Sequence, residues 1–254
     1  MKVSIITPCF NSASTIEETI ESVRQQTYPD IEHIVIDGKS DDGTVDLIKE
    51  NRQDIDVFIS EKDAGIYQAI NKGLKKSTGD ILGILNSDDV YQAEEVIEKV
   101  VSEFRKQTIS AVYGDLQYID GREKKVMRYW EAGEFDPSNF SRGWMPPHPT
   151  LFFTREMYEE HGLYKEEFKI AADYELILRF LYKNKIPVSY IPEVLVQMKV
   201  GGKSNDGFKS RFVTFLEDYK AWKENDLKKI QGLKAQVLKR ATKIEQFFPW
   251  ITRN

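Results

Sequence analysis

The chain has 254 residues, of which 41% are hydrophobic and 30% charged, with a formal net charge of −5. That is enough apolar material for one substantial core. The acidic balance argues against nucleic acid as the main partner, because neutralising phosphates needs a basic face. The single cysteine, Cys9, excludes an internal disulfide and any Cys-rich metal site.

The first residues, Met-Lys-Val-Ser-Ile-Ile-Thr-Pro, are too briefly apolar for a signal peptide, and no run approaches a membrane span, so a cytoplasmic location is expected. Residues 3–6 form a β-branched run that stops at Thr7-Pro8. Asn11 to Ser14 then supply capping residues for a helix with Ile16, Ile20 and Val23 on one face. Residues 31–36 read as a second strand ending at Asp37-Gly38, followed by a helix over 44–51. Val57–Ser60 reads as a third strand leading to Asp63, and Ile66–Lys76 as a helix with Tyr67, Ile70 and Leu74 on one face. Residues 81–85 are an apolar run broken only by Gly83, and the strand they predict delivers Asp88 and Asp89.

Four β-then-α units in succession predict a mostly parallel, doubly wound α/β sheet flanked by helices. In such a sheet the carboxyl ends of the strands share one side, so Pro8/Asn11, Asp37, Asp63 and Asp88/Asp89 converge. A single polar loop needs no explanation beyond solvation, but four aligned ones, three of them acidic, suit a phosphate ligand bridged by a divalent cation. Neither G-x-G-x-x-G after the first strand nor G-x-x-x-x-G-K-[ST] is present, so dinucleotide and P-loop chemistry are poorly supported.

The second half is strand-rich over 111–128 and again over 190–199. His148 stands between prolines after Trp144-Met145, and core packing is the default for Trp144, Met145 and Trp130, with sugar stacking the alternative. Asp173 precedes Leu176, Ile177 and Phe180 at helical spacing, at the start of a helix over an apolar floor. A plain N-cap is the competing account, and Glu175 is the nearest rival carboxylate. Gly201-Gly202 forms a hinge from which Lys203 and Ser204 could close on phosphates, with Lys209 and Arg211 as alternative cations. Residues 226–254 carry seven Lys/Arg against two acids, a net +5 beside −10 on the remainder. Their apolar spacing predicts an amphipathic basic tail that packs on the body, joins a second subunit or lies on an anionic inner-leaflet surface.

In order along residues 2–205, Ser4-Ile-Ile-Thr-Pro-Cys-Phe-Asn11, Ile36-Asp-Gly-Lys-Ser-Asp-Asp-Gly-Thr44, Asp63-Ala-Gly-Ile-Tyr-Gln-Ala-Ile-Asn-Lys-Gly73 and Thr78-Gly-Asp80 are followed by Leu85-Asn-Ser-Asp-Asp89. Pro147-His-Pro-Thr-Leu-Phe152, Ala172-Asp-Tyr-Glu-Leu176 and Gly201-Gly-Lys-Ser204 complete the set. Together they resemble the inverting glycosyltransferases of family 2, with a GT-A fold, of the bacterial surface-polysaccharide type. The resemblance implies a catalytic domain over 1–205, with a nucleotide-sugar half (1–110) and an acceptor half (111–205), and a helical region over 206–254. It implies that Thr7, Pro8, Phe10, Asp37, Asp63 and Asp88 line the nucleotide pocket, that Asp88 and Asp89 hold Mn²⁺ or Mg²⁺, and that Asp173 is the base. His148 would contact the donor. The implied reaction moves one sugar from a nucleotide-diphosphate sugar, a UDP-sugar being favoured, to a glycan or polyprenyl-linked acceptor. A sugar-nucleotide nucleotidyltransferase and a non-catalytic nucleotide-sugar binder are the alternatives. The sequence departs from the family at Asn86, commonly Asp, at Asp37-Gly38, commonly Asp-Asp, and at Ile70, commonly Arg.

Overall fold

The computed structural model describes residues 1–121, 125–200 and 208–225. Its first half runs β1 (Val3–Cys9), α1 (Ile16–Arg24), β2 (Ile31–Asp37), α2 (Thr44–Glu50), β3 (Val57–Ser60), α3 (Ile66–Lys76) and β4 (Ile81–Ile84). These four strands lie in the order β3-β2-β1-β4, all parallel. Residues of β1, β2 and β4 are buried on both faces, as a sheet covered by helices requires, while β3 at the edge is only half-buried. Ile6, Ile34, Ile36, Leu82 and Ile84 pack on one side with Ile70 and Leu74 of α3. Val3, Ile5 and Ile81 face the other side, and Val35 packs with Ile16, Ile20 and Ile48 of α1 and α2.

β1 continues to Cys9, beyond the stop expected at Thr7-Pro8. Past Ile6 it pairs with β2 alone, which is the edge-like setting that tolerates a proline. Gly83 of β4 has a steric reason: a Cβ there would lie 2.6 Å from Cε1 of Phe152.

The second half is built differently. It comprises β5 (Asp89–Tyr91), α4 (Val96–Lys106), β6 (Ala111–Ile119), β7 (Val126–Trp130), β8 (Phe152–Thr154), α5 (Arg155–His161), α6 (Ala172–Ile177), β9 (Val188–Lys199) and α7 (Phe208–Glu224). The sheet continues from β4 as β8-β6-β9-β5, with β7 paired to the far end of β6. Among the described residues only β6 and β9 pair in parallel here, and the remaining pairings are antiparallel. β5 lies four places from β4, which in a flat sheet is roughly 19 Å. The five residues from Ile84 to Asp89 reach at most about 18 Å, so the sheet curls back on itself.

α7 is not an appendage, because Ala221 and Trp222 are 0% and 1% exposed and join the core beside Tyr174 and Tyr182. The division expected at 205/206 therefore cuts through one core. The basic tail over 226–254 lies outside the described residues. No helix among the described residues is long and apolar enough to cross a membrane.

His33 of β2 is buried, its Nε2 3.0 Å from Oγ1 of Thr7 and its Nδ1 without a hydrogen-bond partner among the described residues. Burial lowers its pKa from 6.5 to about 4. Between those values an unfolded chain takes up a proton that the folded chain refuses, so stability is lost as the pH falls from about 6.5 toward 4. Denaturant titrations at pH 7 and pH 4.5 should show His33→Gln losing about 2–3 kcal/mol less than the wild type over that interval. Equal losses in the two proteins would place the acid sensitivity elsewhere.

Candidate active site

The carboxyl ends of β1, β2, β3 and β4 open on the same side, as parallel pairing demands. Phe10 stands there 53% exposed, its ring over Gly38, where a Cβ would lie 3.3 Å from Cδ2. Asp37 is completely buried, and its carboxylate is already committed to the turn that follows. It accepts hydrogen bonds from the N–H groups of Lys39 and Ser40, from the Ser40 hydroxyl and from Ser60 Oγ at 2.6 Å. Cys9 Sγ lies 3.8 Å from Oδ1 of Asp37, and burial with that neighbouring charge pushes the thiol pKa upward. Asp37 thus shapes the rim more than it offers a free oxygen. Asp63 differs: Oδ1 is paired with Lys72, which also binds Glu61 at 2.7 Å, while the buried Oδ2 has no hydrogen-bond partner among the described residues.

Asp88 and Asp89 occupy the link between β4 and β5. Asp88 is partly open, whereas Asp89 is fully buried, with Oδ2 accepting from Asn86 Nδ2 at 2.9 Å and Oδ1 without a partner among the described residues. Burial raises the pKa of both, and the charge of Asp88 raises Asp89 further. Lys199, at the end of β9, lowers both and is itself held by Glu18 at 2.8 Å. The curl of the sheet brings it there, pairing Met198 with Asp89. Two desolvated, mutually repelling carboxylates with an orphan oxygen fit a divalent cation. No group of three His, Cys, Asp or Glu suited to a metal occurs among the described residues, so a cation held by this pair would need phosphate and water to complete its coordination.

Asp173 lies in the first turn of α6, and of the six residues in that helix it alone is not buried. It is not the N-cap, a position held by Ala171, and no side chain caps this helix. Oδ1 of Asp173 lies 3.3 Å from the hydroxyl of Tyr67, which donates to the carbonyl of Ile170 at 2.5 Å. Glu175, the rival carboxylate, points the other way. Its side chain is 0% exposed and is bound by Lys165 at 3.0 Å, Arg179 at 2.9 Å and Asn225 at 3.1 Å.

His148 is half-buried, its Nε2 2.7 Å from the hydroxyl of Tyr164. Burial lowers its pKa, partly offset by the charge of Asp173, so the imidazole is neutral at neutral pH. Tyr164 stacks on Tyr67 at 5.8 Å between ring centres and is gripped by Asn71, which accepts from its N–H and donates to its carbonyl. Asp173, His148, Tyr164 and Tyr67 therefore form one cluster.

Four residues expected at the ligand are turned inward or enclosed. Thr7 is buried with its hydroxyl on His33, and Met145 is 8% exposed within the core. Trp144 donates its indole N–H to Ala132 and packs among Tyr113, Phe135 and Phe140. Pro8 is likewise buried. Lys203 and Ser204 lie outside the described residues. Sequence reasoning passed over Lys199 and Asn71. The available signal for Asn71 was a polar residue beside Ile70 and Leu74 on the buried side of α3.

The sequence pattern of the family described as Glycosyl transferase family 2 matches residues 4–165. The chain belongs to that family. This transferase is 33% identical over 186 residues to an uncharacterised glycosyltransferase of Mycobacterium tuberculosis, covering 70% of this chain and 68% of that one. It is 27% identical over 207 residues to a PGL/p-HBAD biosynthesis glycosyltransferase of Mycobacterium bovis, with coverages of 80% and 78%. Its fold matches residues 1–349 of S. aureus TarS with a TM-score of 0.68 at 18% identity, covering 98% of this chain and 73% of that one. In another crystal structure of S. aureus TarS, matched with a TM-score of 0.65 at 21% identity, the transferase spans 44% of the chain. The mannosyltransferase PcManGT from Pyrobaculum calidifontis matches with a TM-score of 0.61 at 20% identity, over all of this chain and 64% of the other. The GT-A fold is thereby established.

The separate environments of Asp173 and Glu175 give a direct test. Glu175→Gln leaves Lys165 and Arg179 short of a buried counter-charge, a change that costs about 3–5 kcal/mol in comparable buried pairs. Its melting temperature should fall while turnover well below the transition stays within about three-fold of wild type. Lost turnover with unchanged melting would assign Glu175 to the chemistry instead.

Proposed function

We propose that this transferase moves a sugar from a nucleotide-diphosphate sugar to an acceptor hydroxyl with inversion at the anomeric carbon, Asp173 being the general base. The observation that carries this reading is that Asp173, alone on α6, is not buried and stands in one cluster with Tyr67, His148 and Tyr164. The solved structures it resembles include TarS in complex with UDP-GlcNAc and PcManGT in complex with GDP-Man and Mn²⁺. A relative is named for PGL/p-HBAD biosynthesis, which supports a lipid-linked or glycan acceptor.

Inversion requires the acceptor oxygen to arrive opposite the leaving diphosphate and to lose its proton as it bonds. Oδ2 of Asp173 carries no hydrogen bond among the described residues, while Oδ1 faces Tyr67. Oδ2 takes the acceptor proton, a contribution of about 10²–10⁴-fold for a well-placed base. The neutral His148, fixed by Tyr164, lines the same cluster as a hydrogen-bonding group toward the donor. On the other side, Asp88 with Asp89 behind it would hold Mn²⁺ or Mg²⁺ on the diphosphate. That ion supplies charge stabilisation of the leaving group as a Lewis acid. Phe10 would line the base site, and Oδ2 of Asp63, without a hydrogen-bond partner among the described residues, would accept a base or ribose donor. The tail over 226–254 would recruit the enzyme to an anionic membrane surface or to a second copy.

A panel of UDP- and GDP-sugars, with Mn²⁺ or with EDTA, should show a rise in melting temperature only for the correct nucleotide with the metal present. A stabilisation that EDTA leaves intact would remove the ion from the reading. Asp88→Asn should lose the metal-supported part of that stabilisation. Asp173→Asn should keep it while transfer falls about 10²–10⁴-fold, and turnover near wild type in that variant would sink the base assignment.

A further inference from the structure

The backbone immediately before Asp173 is held by a residue far along the chain. Glu217, on α7, accepts hydrogen bonds from three successive N–H groups, those of Lys169 at 2.8 Å, Ile170 at 2.9 Å and Ala171 at 2.9 Å. None of the three donors belongs to a helix or strand, so each needs a partner from elsewhere. From the opposite side, Tyr67 of α3 donates to the carbonyl of Ile170 and approaches Asp173 itself. Ile170 is therefore bonded at both its N–H and its carbonyl, by two helices that lie on either side of it. α7 is fixed relative to α6 by the Trp222 indole N–H donating to Tyr174 Oη at 2.8 Å and by Asn225 donating to Glu175.

Asp173 receives no cap or hydrogen bond from its own helix. Apart from the contact with the Tyr67 hydroxyl, its carboxylate stands where residues 169–172 put it.

We propose that Glu217 is a positioning residue for Asp173: its carboxylate gathers the 169–171 backbone and sets the point from which the base meets the acceptor hydroxyl. This inference rests on the assignment of Asp173 above. Charged acceptors form short, strong hydrogen bonds with backbone N–H groups, which makes one carboxylate on three amides a stiff support. Displacing a reacting group by about 1 Å costs on the order of 10²-fold in rate, so the effect of losing Glu217 should fall on kcat.

The test uses the full chain and the UDP- or GDP-sugar that gives the fastest release of nucleoside diphosphate with water as acceptor. Glu217→Ala should lower kcat about 10- to 100-fold, with KM for the nucleotide sugar and the dissociation constant of the nucleoside diphosphate within about two-fold of wild type. On an Asp173→Asn background the same substitution should cost less than about three-fold more, because its effect passes through the base. Glu217→Gln, which retains one acceptor oxygen, is measured alongside and replaces the alanine variant if that one melts below the assay temperature. A loss of equal size on both backgrounds, a loss confined to KM, or an unchanged kcat would overturn the proposal. Collapse of Asp173→Asn beside fully active Glu217 variants sinks this inference alone, whereas near-wild-type turnover of Asp173→Asn sinks the base assignment as well.

Discussion

The five-residue step from Ile84 to Asp89 is the constraint on which the rest of the molecule turns. It is too short to cross a flat sheet to β5, so the sheet curls, and the curl closes the carboxyl end of β4 against the end of β9. An acidic pair that would otherwise face water is enclosed beside Lys199, and burial raises the proton affinity of both carboxyls. Two carboxyls that hold their protons more tightly than free ones are a consequence of that short connection. Lengthening it would relax the sheet and the electrostatics together.

α3 of the first half is tied to the 162–173 segment of the second by polar groups as well as by apolar packing. Asn71 exchanges hydrogen bonds with the backbone of Tyr164, and Tyr67 reaches the carbonyl of Ile170. A buried amide or phenol left unpaired costs about 1–3 kcal/mol, so these contacts penalise any other docking of the 162–173 segment. Apolar packing alone tolerates sliding. The hydrogen bonds define one register, and in that register His148, Tyr164 and Asp173 come together.

How much of this the sequence revealed follows from the length of its signals. α3 and β3 lie at the expected residues, because an eleven-residue amphipathic helix and a β-branched strand bounded by turns carry a period long enough to read. β5 and β8 have three residues each, which is no period at all, and the antiparallel half of the sheet depends on them. The strand-end acids were legible as positions along the chain, but not as Asp37 bound into its own turn, Asp63 half free and Asp89 buried. Those distinctions come from the geometry of local turns, which bring Ser40 to Asp37, Lys72 to Asp63 and Asn86 to Asp89, and from distant neighbours such as Ser60 and Lys199. Strand and loop patterns do not say which face is inside at a sheet end, so only the structure shows the Thr7 hydroxyl on His33 and Met145 in the core, its default reading. Glu217 gave no sign, because a glutamate on a helix of mixed polarity reads as solvated until its three amide partners are seen.

The one sulfhydryl of the chain takes on a different meaning once its surroundings are known. Cys9 is 5% exposed at the tip of β1, adjoining Phe10 and against Asp37, and burial with that charge holds it as a protonated thiol. Only the thiolate reacts with an electrophile, and only when a reagent can reach it. In the closed protein neither condition is met, so alkylation must wait for the end of β1 to part from β2. The rate of that alkylation is a clock for local opening at the mouth of the nucleotide half, carried by the native chain with no label added.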